Sequence, residues 1–309
     1  MIAVRNHEAT EAFEPRADVL RAMVERGLTN LTGMKDSSAA WRSLVSTQDV
    51  IGLKVYSSPG PISGTKPAVV AAVVESLLQA KIPTNHIIVW DKRLVDLKNA
   101  GFSDFSKRYG IGVEACLTSG FDEQVFYDTP LLGHLLWGDH DFGNSSENVG
   151  RKSYVANLLT RKITKIVNIS PLLNHHAAGV CGNLFSLAMG SVDNTLRFEA
   201  DASRLAAAVP EIVALPQVGD RLVLNIVDAL LCQYQGEQTM LLHYSKILNE
   251  LRFSKDPVAL DVLSVQELEK QRRLAGMSSR TNSMELFQNA SLLELGTSDL
   301  QNIRVQIVE

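Results

Sequence analysis

The stretch Ile166-Val-Asn-Ile-Ser-Pro-Leu-Leu-Asn-His-His-Ala-Ala-Gly-Val-Cys-Gly-Asn-Leu-Phe-Ser-Leu-Ala-Met-Gly190 decides how the rest of the chain is read. It opens as an apolar strand over residues 166–169, and Pro171, which cannot donate to a ladder, is expected to end it. Asn174, His175 and His176 come next, so polar groups arrive directly after a strand end. Gly179, Gly182 and Gly190 then punctuate a segment whose apolar run covers residues 184–189. A strand end that delivers polar groups to a glycine-bordered helix start is a common ligand site in α/β proteins.

Upstream, Asp49-Val-Ile-Gly-Leu-Lys-Val-Tyr56 is an apolar run with polar flanks and predicts a buried strand. A loop rich in Gly, Ser, Thr and Pro (residues 57–67), a helix (68–80) and the strand His86-Ile-Ile-Val-Trp-Asp91 follow. Strand, helix, strand at this spacing predicts a parallel pair with a right-handed crossover. Lys54 then lies within the first strand and Asp91 at the carboxyl end of the second. The loop lacks the Walker order of glycines and lysine, and two readings of it stand. Either Thr65 caps the helix with Pro67 near its first position, or free N–H groups around Ser58, Gly60 and Thr65 cradle an anion.

Downstream, Arg221-Leu-Val-Leu-Asn-Ile-Val-Asp-Ala-Leu230 predicts a strand with Asn225 inside and Asp228 near its end. Helices are expected over 15–27 (stopped by Gly27), 38–45, 94–100, 201–215, 262–273 and 289–296, with another beginning at 154–159. Residues 111–117 and 303–308 read as strands, and 240–251 as a helix or a hairpin. Residues 1–14 read as a loose arm. The stretch 119–153 reads as irregular and lid-like, and its Asp139, His140 and Asp141 as a solvated turn. The expected fold is therefore α/β, a mostly parallel twisted sheet flanked by helices. An N-terminal arm and helix (1–40) would precede a single α/β domain (41–309), with a subdivision near 150 as the alternative.

A formal charge of −4, with basic residues scattered, gives no footprint for nucleic acid. No apolar run approaches the roughly 20 residues that span a bilayer, so the protein is not expected to be transmembrane. The three cysteines include no Cys-x-x-Cys, so neither a zinc ribbon nor an iron–sulfur cluster is expected from this chain. The amino-terminal residues carry no basic or apolar leader pattern. That fits a cytoplasmic protein, or an exported one with its leader removed. Oligomeric state is not legible.

Taken together, these segments resemble the bacterial family called domain of unknown function 362. The resemblance rests on Asp49-Val-Ile-Gly-Leu-Lys-Val, the Gly-Pro loop with Thr65 and Pro67, Ile87-Ile-Val-Trp-Asp91 and Asn168-Ile-Ser-Pro-Leu-Leu-Asn-His-His-Ala-Ala-Gly-Val. Gly190-Ser-Val-Asp-Asn-Thr, Asn225-Ile-Val-Asp-Ala, Asp256-Pro-Val-Ala-Leu-Asp261 and Leu293-Glu-Leu-Gly-Thr-Ser-Asp-Leu add to it. It covers the chain from about residue 40 onward. Many members of that family carry ferredoxin-like cysteine segments and a twin-arginine leader, and this chain shows neither. Where the family shows a Lys-Thr-His-like segment this chain has Asn174-His175-His176, so His176 is the matching position. Where the family shows Leu-Lys-Asn this chain reads Leu184-Phe185-Ser186, and the chemistry of that lysine and asparagine is not carried over.

Two functions follow as expectations. One is an enzyme acting on a small anionic metabolite. His176 and His175 would supply acid/base catalysis, Lys54 and Asp91 would serve the reacting charge, and Ser58, Gly60, Thr65, Asn174, Asn225 and Asp228 would bind the ligand. If the cofactor is a divalent metal, His176, Asp91 and Asp228 would hold it. The other is a ligand-binding or partner-docking protein with the same pocket and no turnover, or a redox-associated protein that has lost its cluster segment. A blander alternative keeps both histidines as satisfied core residues.

Overall fold

The computed structural model describes residues 1–129, 151–199, 201–278 and 283–309. Asp139, His140 and Asp141 lie outside the described residues. The chain begins with β1 (Ile2–Arg5), the short strands β2 (Thr10–Glu11) and β3 (Glu14–Pro15), and helices α1 (Ala17–Thr32) and α2 (Ser37–Leu44). Then come β4 (Ile51–Val55), α3 (Gly60–Ser63), α4 (Pro67–Gln79) and β5 (Ile87–Asp91). α5 (Leu94–Asn99), α6 (Asp104–Tyr109), β6 (Gly112–Ala115) and α7 (Cys116–Ser119) lead to β7 (Phe121–Asp128) and β8 (Lys152–Ala156). β9 (Lys165–His175), β10 (Gly179–Val180), α8 (Asn183–Ser191), α9 (Leu196–Glu199) and α10 (Ala202–Val213) follow. The rest is β11 (Leu222–Gln233), β12 (Ser245–Ser254), α11 (Pro257–Leu274), α12 (Glu285–Leu292) and β13 (Gln306–Val308).

One nine-stranded sheet organises the described residues, in the order β13-β1-β12-β11-β9-β4-β5-β6 with β10 pairing β9. The five strands from β11 to β6 are mutually parallel, and β12 pairs antiparallel with both β1 and β11. The expected mostly parallel α/β sheet is therefore present. From β4 the chain steps to β5 and β6 on one side, then to β9 and β11 on the other. That reversal makes the carboxyl ends of β4 and β9 the topological switch point of the sheet.

Successive strand residues face opposite sides, so each strand feeds two cores. Ile87 and Val89 join Val167, Ile169, Leu224 and Ile226 under α1, α2 and α4. Ile88, Trp90, Ile166 and Val227 face α8, α10, α11 and α12. α8 is buried along all nine of its residues, as a helix apolar on every side should be.

Several expectations are corrected. Residues 1–14 are no loose arm, because β1 pairs with β12 and β13 and buries Ile2 and Val4. Gly27 does not stop α1. It lies within the helix, where a Cβ would come 2.2 Å from the Phe253 ring, and the left-handed Gly33 ends the helix instead. β9 runs through Pro171 to His175. Pro171 lies beyond Ile169, the last residue of β9 in register with β4, and at the jump in β11 pairing from Asp228 to Cys232. Its missing N–H thus falls where the ladders are already interrupted. The stretch expected to be irregular holds β7 and β8, an antiparallel pair whose Phe126 and Tyr154 rings meet edge to face. The expected helix at 154–159 is the end of β8 and a π-helical turn, Leu158–Lys162. Residues 240–251 resolve as hairpin rather than helix. α11 starts at Pro257, so Asp261 is helical.

Candidate functional site

A row of polar residues crosses the middle of the sheet on the face covered by α8. Lys54 pairs in register with Asn168, and Asn168 with Asn225, all fully buried. Asn168 Nδ2 donates to the Asn183 carbonyl at 3.0 Å and lies 3.4 Å from Asn225 Oδ1. Ser170 Oγ donates to Asn183 Oδ1 at 3.2 Å. Asp261 reaches across from α11 to accept from Asn183 N (2.6 Å), Asn183 Nδ2 (2.8 Å) and Leu184 N (2.8 Å). A carboxylate thus caps α8 from another helix, and a Cβ on Gly182 would meet it at 2.1 Å. Burial pushes the Asp261 carboxyl up to about 6, against these N–H donors that pull it down. Asn225, expected to bind ligand, belongs to this internal network.

At the carboxyl edge the row gives way to two buried ion pairs. Lys54 Nζ donates to Asp91 Oδ1 (2.9 Å) and to the Val55 carbonyl (2.6 Å), close against Gly190, where a Cβ would come 2.2 Å from Lys54 Cε. Asp91 also accepts from Ser57 N (2.8 Å), Ser57 Oγ (2.6 Å) and Lys92 N (2.8 Å). The second pair joins Lys66 to Asp228. Asp228 accepts from Lys66 N at 2.9 Å, Lys66 Nζ at 3.3 Å and Leu230 N at 3.3 Å. Between the pairs Thr65 Oγ1 accepts from Tyr56 N (2.9 Å) and donates to the Ile169 carbonyl (2.7 Å). Thr65 is therefore a brace between β9 and the loop, not the cap of α4, whose N-cap is Lys66. Gly60 opens α3 with φ +81, and Ser58 Oγ donates to Gln238 Oε1 at 3.2 Å.

The expected metal set does not assemble. Asp91 is taken by Lys54 and Ser57, Asp228 by Lys66, and His176 Nδ1 sits 2.9 Å from Glu237 Oε2. No three His, Cys, Asp or Glu side chains are grouped to hold a metal ion among the described residues. His175 is buried, and its Nδ1 accepts from Ala177 N (3.2 Å) and Ala178 N (3.1 Å), closing the turn into β10. Burial first, then the neighbouring His176, lowers its pKa to about 4. It is neutral near pH 7, and its ring closes the turn. Asn174 Oδ1 accepts from Glu237 N at 3.2 Å and helps hold the β11–β12 loop.

Beside the Lys54–Asp91 pair lies a cleft of about 250 Å³ whose walls include Tyr56, Ser58, Asp91, Lys92, Arg93 and Ser186. Asp96, Asp193, Thr195, Glu199 and Gln238 complete its polar surface. Lys92 Nζ donates to the Asp193 carbonyl and to Thr195 Oγ1, each at 2.9 Å, and Thr195 Oγ1 donates on to Glu199 Oε2 at 3.3 Å. Burial lowers the Lys92 pKa, with Glu199 opposing. Ser186 is 1% exposed, and its Oγ has no hydrogen-bond partner among the described residues. Of the residues singled out in the sequence, the fold brings Ser58 and Asp91 to the cleft with Lys54 behind them. Asp228, Asn225, Thr65 and His175 are placed in structural roles. Lys92, Arg93, Asp96, Ser186 and Glu199 were missed. A cation directly after a strand-ending acid was the available signal for Lys92, and nothing local marked the others.

No family model matches the chain, and no curated protein matches it. Among solved structures the chain is similar to the crystal structure of a Thermotoga maritima protein from a structural-genomics consortium, with a TM-score of 0.44 and 10% identity. The match covers 86% of this chain and 60% of that one, so the chain spans three-fifths of that protein's length.

Proposed function

We propose that the protein binds a small anionic metabolite in the cleft at the carboxyl ends of β4 and β5 and acts on it as an enzyme. The observation that carries this reading is the Lys92–Thr195–Glu199 chain, which opens onto the cleft beside Arg93. A lysine whose pKa is lowered by burial, in a cleft at the carboxyl ends of parallel strands, suits proton transfer to developing negative charge. Thr195 and Glu199 hold the ammonium in place, and Arg93 at the exposed rim receives the anion. Lys54 and Asp91 form a charge-compensated floor. The kinship with domain of unknown function 362 belongs to the same proposal. Its matching residue, His176, does not line the cleft but grips Glu237, next to Gln238 at the cleft wall.

The test is a thermal-shift screen of anionic metabolites on the wild-type chain, followed by turnover assays on each hit. Lys92→Met should abolish turnover, and Arg93→Ala should weaken binding about tenfold, the scale of one charge-assisted contact. Full turnover by Lys92→Met would sink the enzyme reading. Affinity would also fall as pH rises through the lowered Lys92 pKa, because a bound anion favours the protonated amine.

A further inference from the structure

The charges around the cleft specify the ligand more narrowly, on the premise that the cleft is the binding site. Of its four carboxylates, Asp91 is saturated by the donors already named, and Asp193 Oδ1 accepts from Tyr154 N (2.7 Å) and Asn194 N (2.6 Å). Glu199 holds Thr195. The Asp96 carboxylate has no hydrogen bond or ion pair within contact distance among the described residues, although it is half-buried and lies in the first turn of α5, just after the N-cap Arg93. Its carboxyl pKa is raised by burial and then by Asp91, with Arg93 opposing. The Arg93 guanidinium likewise makes no hydrogen bond or ion pair among the described residues and stands at the exposed rim. The cleft therefore offers one unengaged cation and one unengaged anion side by side. A third unmet group, the buried Ser186 hydroxyl, lies in the same wall. A plain anion satisfies Arg93 and leaves Asp96 facing added negative charge, which repels it. At about 250 Å³ the space is smaller than the cavities that hold drug-sized ligands.

We propose that the ligand is a small amino acid bound as a zwitterion, its carboxylate on Arg93 and Lys92, its ammonium on Asp96, and a polar atom on the Ser186 hydroxyl. Two charges of opposite sign on one small skeleton match the two unengaged side chains, and the buried hydroxyl gains its missing partner.

The experiment titrates the full chain with matched probes by calorimetry: L-serine, 3-hydroxypropionate and ethanolamine, then L-alanine, propionate and ethylamine. The expected result is that at least one amino acid binds ten times or more tighter than both its deaminated and its decarboxylated partner. Asp96→Asn should then lower amino-acid affinity about tenfold and, by removing the like charge, tighten rather than weaken binding of the matching acid. Arg93→Ala, at the exposed rim, should weaken acid and amino acid together, and Ser186→Ala should weaken the amino acid severalfold. Equal affinity for acid and amino acid, both insensitive to Asp96→Asn but weakened by Arg93→Ala, overturns the zwitterion and leaves the anion site standing. If no probe binds and the anion screen also yields no ligand sensitive to Arg93→Ala, both readings fall.

Discussion

The two buried lysine–aspartate pairs at the sheet's carboxyl edge look alike and are built in opposite senses. In Lys54–Asp91 the cation is sealed and the acid borders the cleft, with side chains 0% and 8% exposed. In Lys66–Asp228 the acid is sealed at 0% and the cation reaches the surface at 6%, beside an apolar groove lined by Phe13, Pro61 and Leu231. Removing the lysine leaves Asp91 with three donors, and leaves Asp228 with two backbone N–H groups and no open side. The lesson is that the sealed carboxylate depends on its lysine for stability, whereas the cleft-side carboxylate keeps three other donors and depends on its lysine less. A buried pair is costly to break when it strands a charge.

Lys66→Met should therefore be the most damaging of the substitutions considered, losing about 3–5 kcal/mol in urea unfolding. If it costs less than Lys54→Met, the comparison fails. Acid can mask it, so His175 has to be accounted for. Its folded pKa of about 4 lies below the ordinary 6.5, so the unfolded chain binds the extra proton first. That contribution is intact above pH 6.5 and is lost as pH falls toward 4. Relative to His175→Asn, which keeps an acceptor for the turn, wild type should lose about 3 kcal/mol across this window. Asp261 works in the other direction, since its folded value of about 6 exceeds the unfolded 3.8, and its burial cost is relieved as pH falls through that range. A wild-type profile that tracks His175→Asn at every pH would contradict the buried neutral imidazole. Lys54→Met should cost about 1–3 kcal/mol, because three donors still satisfy Asp91. The smallest effect has the opposite sign. Ser186→Ala removes a buried hydroxyl that has no partner among the described residues and should stabilise the apo protein by about 1 kcal/mol while weakening ligand binding. Destabilisation by Ser186→Ala would show that the hydroxyl is already satisfied.

What was legible in the sequence followed from local chemistry. Lys54 and Asp91 stood out because ionisable groups inside apolar strands demand partners, and the parallel pairing of β4 and β5 followed from strand–helix–strand spacing. Pro171 misled because its tolerance depends on where β4 ends and where β11 shifts register, neither of which is encoded nearby. The strand β7 was hidden by its own charges, Asp122, Glu123 and Asp128, which suit an exposed ribbon. The histidines drew attention by following a predicted strand end, yet His175 closes a turn and His176 pairs with Glu237 of the loop after β11. Ser186 and Asp261 gained their meaning only from how α8 docks between the sheet and α11. Helix docking of that kind joins residues 75 or more positions apart, and no periodicity reports it.

The place of β1 in the sheet also sets an order of events. Ile2 registers with Phe253 and Val4 with Leu251, so the strand β1 pairs with is made only after nearly 250 further residues. At ribosomal rates of about 5–20 residues per second, β1 waits on the order of 10–50 seconds with its apolar side chains uncovered. The parallel core from β4 to β11 is complete before then. Nascent chains of this protein thus pass through a stage in which the finished sheet still lacks its outer rim, and that unguarded rim is where chaperones, or misdirected neighbours, would first take hold.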